Sequence, residues 1–105
     1  MSNPYIYLFI RDDLPKAQQI VQTAHAVDEL NKEMSLGEIT STTNFMVLCS
    51  ADGENDLFDI SMYLTEQGIK HHIFFEPDIE GHTAIATVPL VGDQRVPMRI
   101  FSTMK

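Results

Sequence analysis

Four things are scarce in this sequence: cysteine, positive charge, tryptophan and long apolar runs. A single thiol, Cys49, excludes an internal disulfide. No basic segment followed by an apolar stretch opens the chain, so no secretory signal is read there and the expected compartment is the reducing cytoplasm. The longest apolar candidates, Tyr5 to Ile10 and Phe45 to Cys49, are strand-sized. They fall far short of the roughly 20 residues that span a bilayer, so no membrane association is expected. Seven lysines and arginines stand against fifteen acids, for a net charge of −8. A field of that sign repels a polyanion unless the few cations gather in one place.

What is present is a core. The 105 residues are 44% hydrophobic and include six Phe and six Met, the composition of one packed domain spanning residues 1–105. Tyr5 to Ile10 mixes aromatic and β-branched residues with almost no polar interruption, which predicts a buried, central strand. Asp12 or Asp13 is placed to cap the helix that follows. From Pro15 to Met34 the residues Ala17, Ile20, Val21, Ala24, Val27 and Leu30 recur at helical spacing.

Ser35 to Thr43 reads as a loop, and Asn44 to Ser50 encloses a second strand. Beyond the turn at Asp52-Gly53, the stripe Leu57, Ile60, Ser61, Leu64 predicts a second helix, ended by Gly68 in the left-handed conformation. Ile69 to Phe75 reads as the third strand and Thr83 to Val88 as the fourth, joined by a loop from Glu76 to Gly81. The tail carries Pro97, which limits it to a short helix and an extended end, Ile100 to Met104. Helices between strands normally connect parallel neighbours. The expected fold is therefore α/β, a small mixed, mostly parallel four-stranded sheet flanked by helices.

Few residues carry obvious chemistry. Gln18, Gln22 and His25 share one face of the first helix, with Glu29 a turn further on. The simplest reading of that face is solvation. His25 between Ala24 and Ala26 invites a second one, since small neighbours let a ligand approach the ring and an imidazole is the commonest general base. His71 and His72 are adjacent in a strand and point to opposite faces, and neither they nor His25 and His82 have ligand spacing, so no metal and no cofactor are expected. Cys49 reads as a small buried hydrophobe. The acids Asp52, Glu54, Asp56 and Asp59 oppose the dipole of the second helix.

The run Arg11-Asp12-Asp13-Leu14, followed by Gln22-Thr23-Ala24-His25-Ala26, resembles the type 2 peptidyl-tRNA hydrolase superfamily, in which an Arg-x-Asp-Leu strand end leads into a helix carrying Gln-x-x-His-Ala. Gly68-Ile69-Lys70, Asp78 and Thr83 to Pro89 fall where that family has its third strand, its active-site Asp loop and its Thr-led final strand. The resemblance covers nearly the whole chain. It is nearest to short stand-alone relatives with Glu-Pro-Asp followed by Thr-Ala-x-Ala-Thr-x-Pro.

That resemblance implies hydrolysis of the ester between a peptidyl or aminoacyl group and tRNA. His25 or Asp78 would orient or deprotonate water, Lys16 and Thr83 would act on the ester and its oxyanion, and Arg11, Gln18 and Gln22 would bind substrate. It also implies a homodimer, which exposed apolar strand and helix faces in so small a sheet would favour. The family's Met-Gly-x-Gly-Lys loop is departed from: Pro15 to Gln18 is two residues shorter, lacks glycine, and puts Gln18 where the catalytic lysine falls. Ala86 and Val88 likewise replace glycines. Together with the net charge, which disfavours tRNA, these departures keep a second expectation open: a non-catalytic module of the same fold that recognises a small nucleotide or a protein partner. A positive surface around Lys16, Arg11 and Arg95 would favour RNA, and a neutral cleft the module.

Overall fold

A central strand buried on both faces organises the computed structural model, which describes residues 4–34 and 45–102. In chain order the elements are β1 (Tyr5–Arg11), α1 (Lys16–Met34), β2 (Phe45–Ala51), α2 (Glu54–Glu66), β3 (His71–Glu76), β4 (Gly81–Thr87) and a 3-10 helix (Gly92–Ile100). The sheet order is β2-β1-β4-β3. The helices lie on opposite faces. Tyr7 and Phe9 of β1 join Leu57, Ile60 and Leu64 of α2, while Ile6, Leu8 and Ile10 join Ala26 and Leu30 of α1. Alternation along one strand thus feeds two cores, which is why β1 is apolar at nearly every position.

The expectation of a mostly parallel sheet needs correction. β1 pairs with β2 in parallel, but β1 with β4 and β3 with β4 are antiparallel. Three strands run in one direction, and the short turn after β3 folds β4 back between β1 and β3. Only a crossover keeps neighbours parallel, and the β3–β4 link has no room for one.

Local chemistry sets most element ends. Gly68, at φ 73, closes α2: its own N–H reaches the Thr65 carbonyl and the Ile69 N–H reaches that of Leu64, with Ile69 and Leu64 both buried. The Asp13 carboxylate is held by Arg11 and makes no bond to the α1 backbone among the described residues. The tail from Gly92 to Ile100 is one continuous run of 3-10 turns with Pro97 inside, longer than the short helix expected, and turns extended at Phe101. The expected loop from Ser35 to Thr43 and the end of the tail at Met104 lie outside the described residues. Among the described residues no helix is long and apolar enough to cross a membrane.

The buried stripe of α1 differs from the predicted one. Ile20 is 72% exposed and Val21 46%, whereas Gln22, Ala26 and Leu30, four residues apart, are at most 1% exposed. A glutamine has displaced the isoleucine from the interior.

Candidate functional site

Gln22 reaches the interior because its amide is satisfied there, as a buried polar side chain must be. Its Oε1 accepts from the Thr83 hydroxyl at 2.9 Å, and its Nε2 lies 3.1 Å from Gln18 Oε1 and 3.2 Å from Glu76 Oε1. Thr83 and Gln22 are both fully buried, Gln18 is exposed, and Glu76 is half-buried. The cluster therefore runs from the sheet outward to solvent along one side of α1.

An irregularity in β4 makes the contact. Phe74 pairs with Ala84 and Phe75 with His82, leaving Thr83 unpaired as a bulge. Ala84 and Ala86 face α1, so strict alternation would turn Thr83 toward α2. The extra residue instead lets Thr83 share the α1 side with Ala84 and returns His82 to the α2 side, a re-aiming for which bulges are used beside functional sites.

His25 lies one turn from Gln22, exposed, with its ring stacked on Phe74 at 5.0 Å and an interplanar angle of 10°. The stack fixes the plane of the imidazole and leaves its nitrogens to solvent or a ligand. The bonding of His71 to Ser61 of α2 and of His72 to Glu33 of α1 shows the two rings on opposite faces of β3.

On the α2 side, Glu54 Oε2 accepts from the backbone N–H of His82 at 2.7 Å and lies 3.2 Å from its Nδ1. The backbone bond and then the ring hold the Glu54 carboxyl below its ordinary value. Phe58 and Phe75 meet the His82 ring edge to face. Arg11 grips Asp13 with two nitrogens, at 2.9 and 2.8 Å, and gives its third to the His82 carbonyl at 3.1 Å. The bonds from Arg11 hold the Asp13 carboxyl below its ordinary value.

The residues singled out in the sequence thus divide. Gln18, Gln22 and Thr83 form one hydrogen-bonded cluster, with His25 beside it on the same helix. Arg11 belongs to the other face, with its guanidinium engaged. Lys16 lines an apolar cleft of about 330 Å³ with Ile10, Gln19, Ile20, Thr23 and Leu48, among which Gln18 and Gln22 do not appear. Asp78 is exposed in the β3–β4 turn and shares no hydrogen bond or ion pair with the cluster among the described residues. Arg95 lies over the Tyr5 ring at 3.4 Å, so Lys16, Arg11 and Arg95 each have separate surroundings.

Two groups were missed in the sequence. Glu76 reads there as a solvated loop residue, yet it ends β3 and contacts Gln22. The pairing of Glu54 with His82 has no sequence signal, since 28 residues separate them. Cys49 is buried as expected, and burial raises its thiol pKa, which keeps it unreactive.

No protein-family model matches the chain, and no curated protein matches it. Among solved structures it is similar to a protein of unknown function from Agrobacterium tumefaciens, at 16% identity and a TM-score of 0.71, covering 100% of both chains. That likeness extends to the fold.

Proposed function

We propose that the chain is a peptidyl-tRNA hydrolase-like protein whose α1-face cluster handles an ester substrate. The observation that carries this reading is the buried hydrogen bond from Thr83 to Gln22. It joins two of the segments on which the family resemblance rests, Gln22 to Ala26 and Thr83 to Pro89, and it does so through a bulge that regular pairing would not supply.

In this reading His25, held flat on Phe74 and open to solvent, deprotonates the attacking water. The Gln18 amide, at the mouth of the cluster, donates to the developing oxyanion where the family has a lysine. Thr83 acts as a positioning residue, because its hydroxyl orients Gln22 from below. Arg11, Lys16 and Asp78 are assigned no part in the step. Exposed Met46 and Leu48 on the edge strand β2 and exposed Ile20 on α1 form an apolar surface that we assign to a homodimer contact.

A specific observation favours the alternative, a non-catalytic module. Glu76 brings a carboxylate to the cluster and no cation is bonded to it among the described residues, so the site is neutral to acidic and ill suited to the tRNA backbone. The deciding experiment is hydrolysis of a model peptidyl-tRNA, and of a small N-acyl aminoacyl ester, by the parent protein and His25→Ala. Turnover that His25→Ala abolishes supports the hydrolase. No turnover of either ester by the parent protein leaves the module.

A further inference from the structure

A second cleft lies on the α2 side of the sheet, between β1, β2 and the 3-10 helix. Its volume is about 380 Å³, and it is lined among others by Tyr7, Cys49, Asp93, Arg95, Arg99 and Phe101. That is within the range of small-molecule sites. The sequence has three arginines, and two of them are here. Against them stands one carboxylate, that of Asp93, so a protein with a net charge of −8 keeps a local excess of positive charge at this point.

The arrangement is built. Arg95 Nε donates to the Tyr7 hydroxyl at 2.9 Å while its guanidinium lies over the Tyr5 ring at 3.4 Å. Stacking and hydrogen bond together fix the plane of a side chain that is otherwise costly to immobilise, leaving the terminal nitrogens for a ligand. Neither Arg95 nor Arg99 has an acid in ion-pair range among the described residues. Tyr7 is only 6% exposed, and its hydroxyl accepts from Arg95 but donates to nothing among those residues. A buried donor without an acceptor asks for one. Val47, Met98 and Phe101 supply the apolar wall, and the buried Cys49 adds to it.

We propose that this cleft binds a small organic oxyanion, a carboxylate or phosphate monoester on an apolar body, gripped by Arg95, Arg99 and the Tyr7 hydroxyl. The apolar body rests on Val47, Met98 and Phe101. The site is independent of the α1-face cluster, which lies across the sheet.

Isothermal titration of the full chain with phenyl phosphate, benzoate and phenol tests it. The two anions are expected to bind saturably, one per chain, and phenol at least about tenfold more weakly, the size of one charge-assisted hydrogen bond. Tighter binding of phenyl phosphate assigns phosphate monoesters, and tighter binding of benzoate assigns carboxylates. Arg99→Gln, at an exposed position, and Tyr7→Phe should each weaken the anions about tenfold and leave phenol unchanged. His25→Ala should bind as the parent does. Absence of saturable binding, equal binding of phenol, or indifference to Arg99→Gln overturns the proposal. Arg99→Gln leaves the Arg95 stack in place and so keeps the test free of folding effects.

Discussion

The Thr83 hydroxyl donates to the Gln22 carboxamide oxygen over 2.9 Å, between residues 61 positions apart in the chain, and both are fully buried. It is the one side-chain pair that ties the interior of α1 to β4 through polar atoms, among the described residues. On its inner side the packing is apolar, with Ala26, Leu30, Ala84 and Ala86 in one buried cluster.

Such a pair is expensive to break from one side. Thr83→Val keeps the shape but strands the Gln22 oxygen, and Gln22→Leu strands the Thr83 hydroxyl. Each should cost ~1–3 kcal/mol, whereas the double variant should cost less than the sum, because no buried polar atom is left over. Chemical denaturation of the four proteins reads this out. Strict additivity would show that the hydrogen bond carries no coupling.

The bulge makes a sharper claim. Phe75 already pairs with His82 and Phe74 with Ala84, so deleting Thr83 should straighten β4 without changing which face His82 occupies. The deletion variant should fold, keep the His82 contact with Glu54, and lose whatever activity the α1 cluster has. Amide and imidazole NMR spectra check both halves. A displaced His82 would refute the bulge as the cause.

Stability should fall in acid for a defined reason. The folded-state pKa values of Glu54 and Asp13 are lowered from ordinary values of 4.5 and 3.8, by His82 and by Arg11 respectively. The unfolded chain therefore binds more protons in this range, and stability rises with pH. The contribution is fully present above those ordinary values and is lost as pH falls through the lowered folded ones. Glu54→Gln and Asp13→Asn should each flatten the acid limb of a stability-against-pH curve and leave the neutral region level. Unchanged slopes would remove these two carboxyls from the account. Gly81→Ala should act on the same contact, since an added Cβ would sit 3.2 Å from Glu54 Oε2.

Gln18 is where the proposed chemistry is weakest, because an amide offers a dipole where the resembled family offers a charge. If the cluster hydrolyses esters, Gln18→Lys should raise turnover by up to about 10², the scale of one oxyanion donor. Steady-state kinetics on a small acyl ester measures it. An unchanged rate would take Gln18 out of the oxyanion role.

The association claim rests on apolar exposure. Ile20 on α1 is 72% exposed and Met46 on the edge strand β2 is 60% exposed. Sedimentation at micromolar concentration should give a dimer, and Ile20→Lys together with Met46→Lys should give a monomer of unchanged fold. A monomeric parent protein would end the claim.

The sequence by itself determined the elements. Continuous apolar runs marked β1 and β2, Gly68 marked the end of α2, and the adjacent His71 and His72 were bound to point apart, because each follows from backbone geometry within a few residues. Tertiary structure decided the rest. The place of β4 between β1 and β3 depends on a turn too short for a crossover, and strand order is set by pairing between distant segments. The burial of Gln22 in place of Ile20 was hidden because helical periodicity counts apolar residues and cannot see Thr83 and Glu76, the partners that let an amide leave water. The same holds for the two arginines that line one cleft with Tyr7. Their positions were legible as charges in the chain, but a cleft exists only where the 3-10 helix folds back across β1, and no local pattern encodes that meeting.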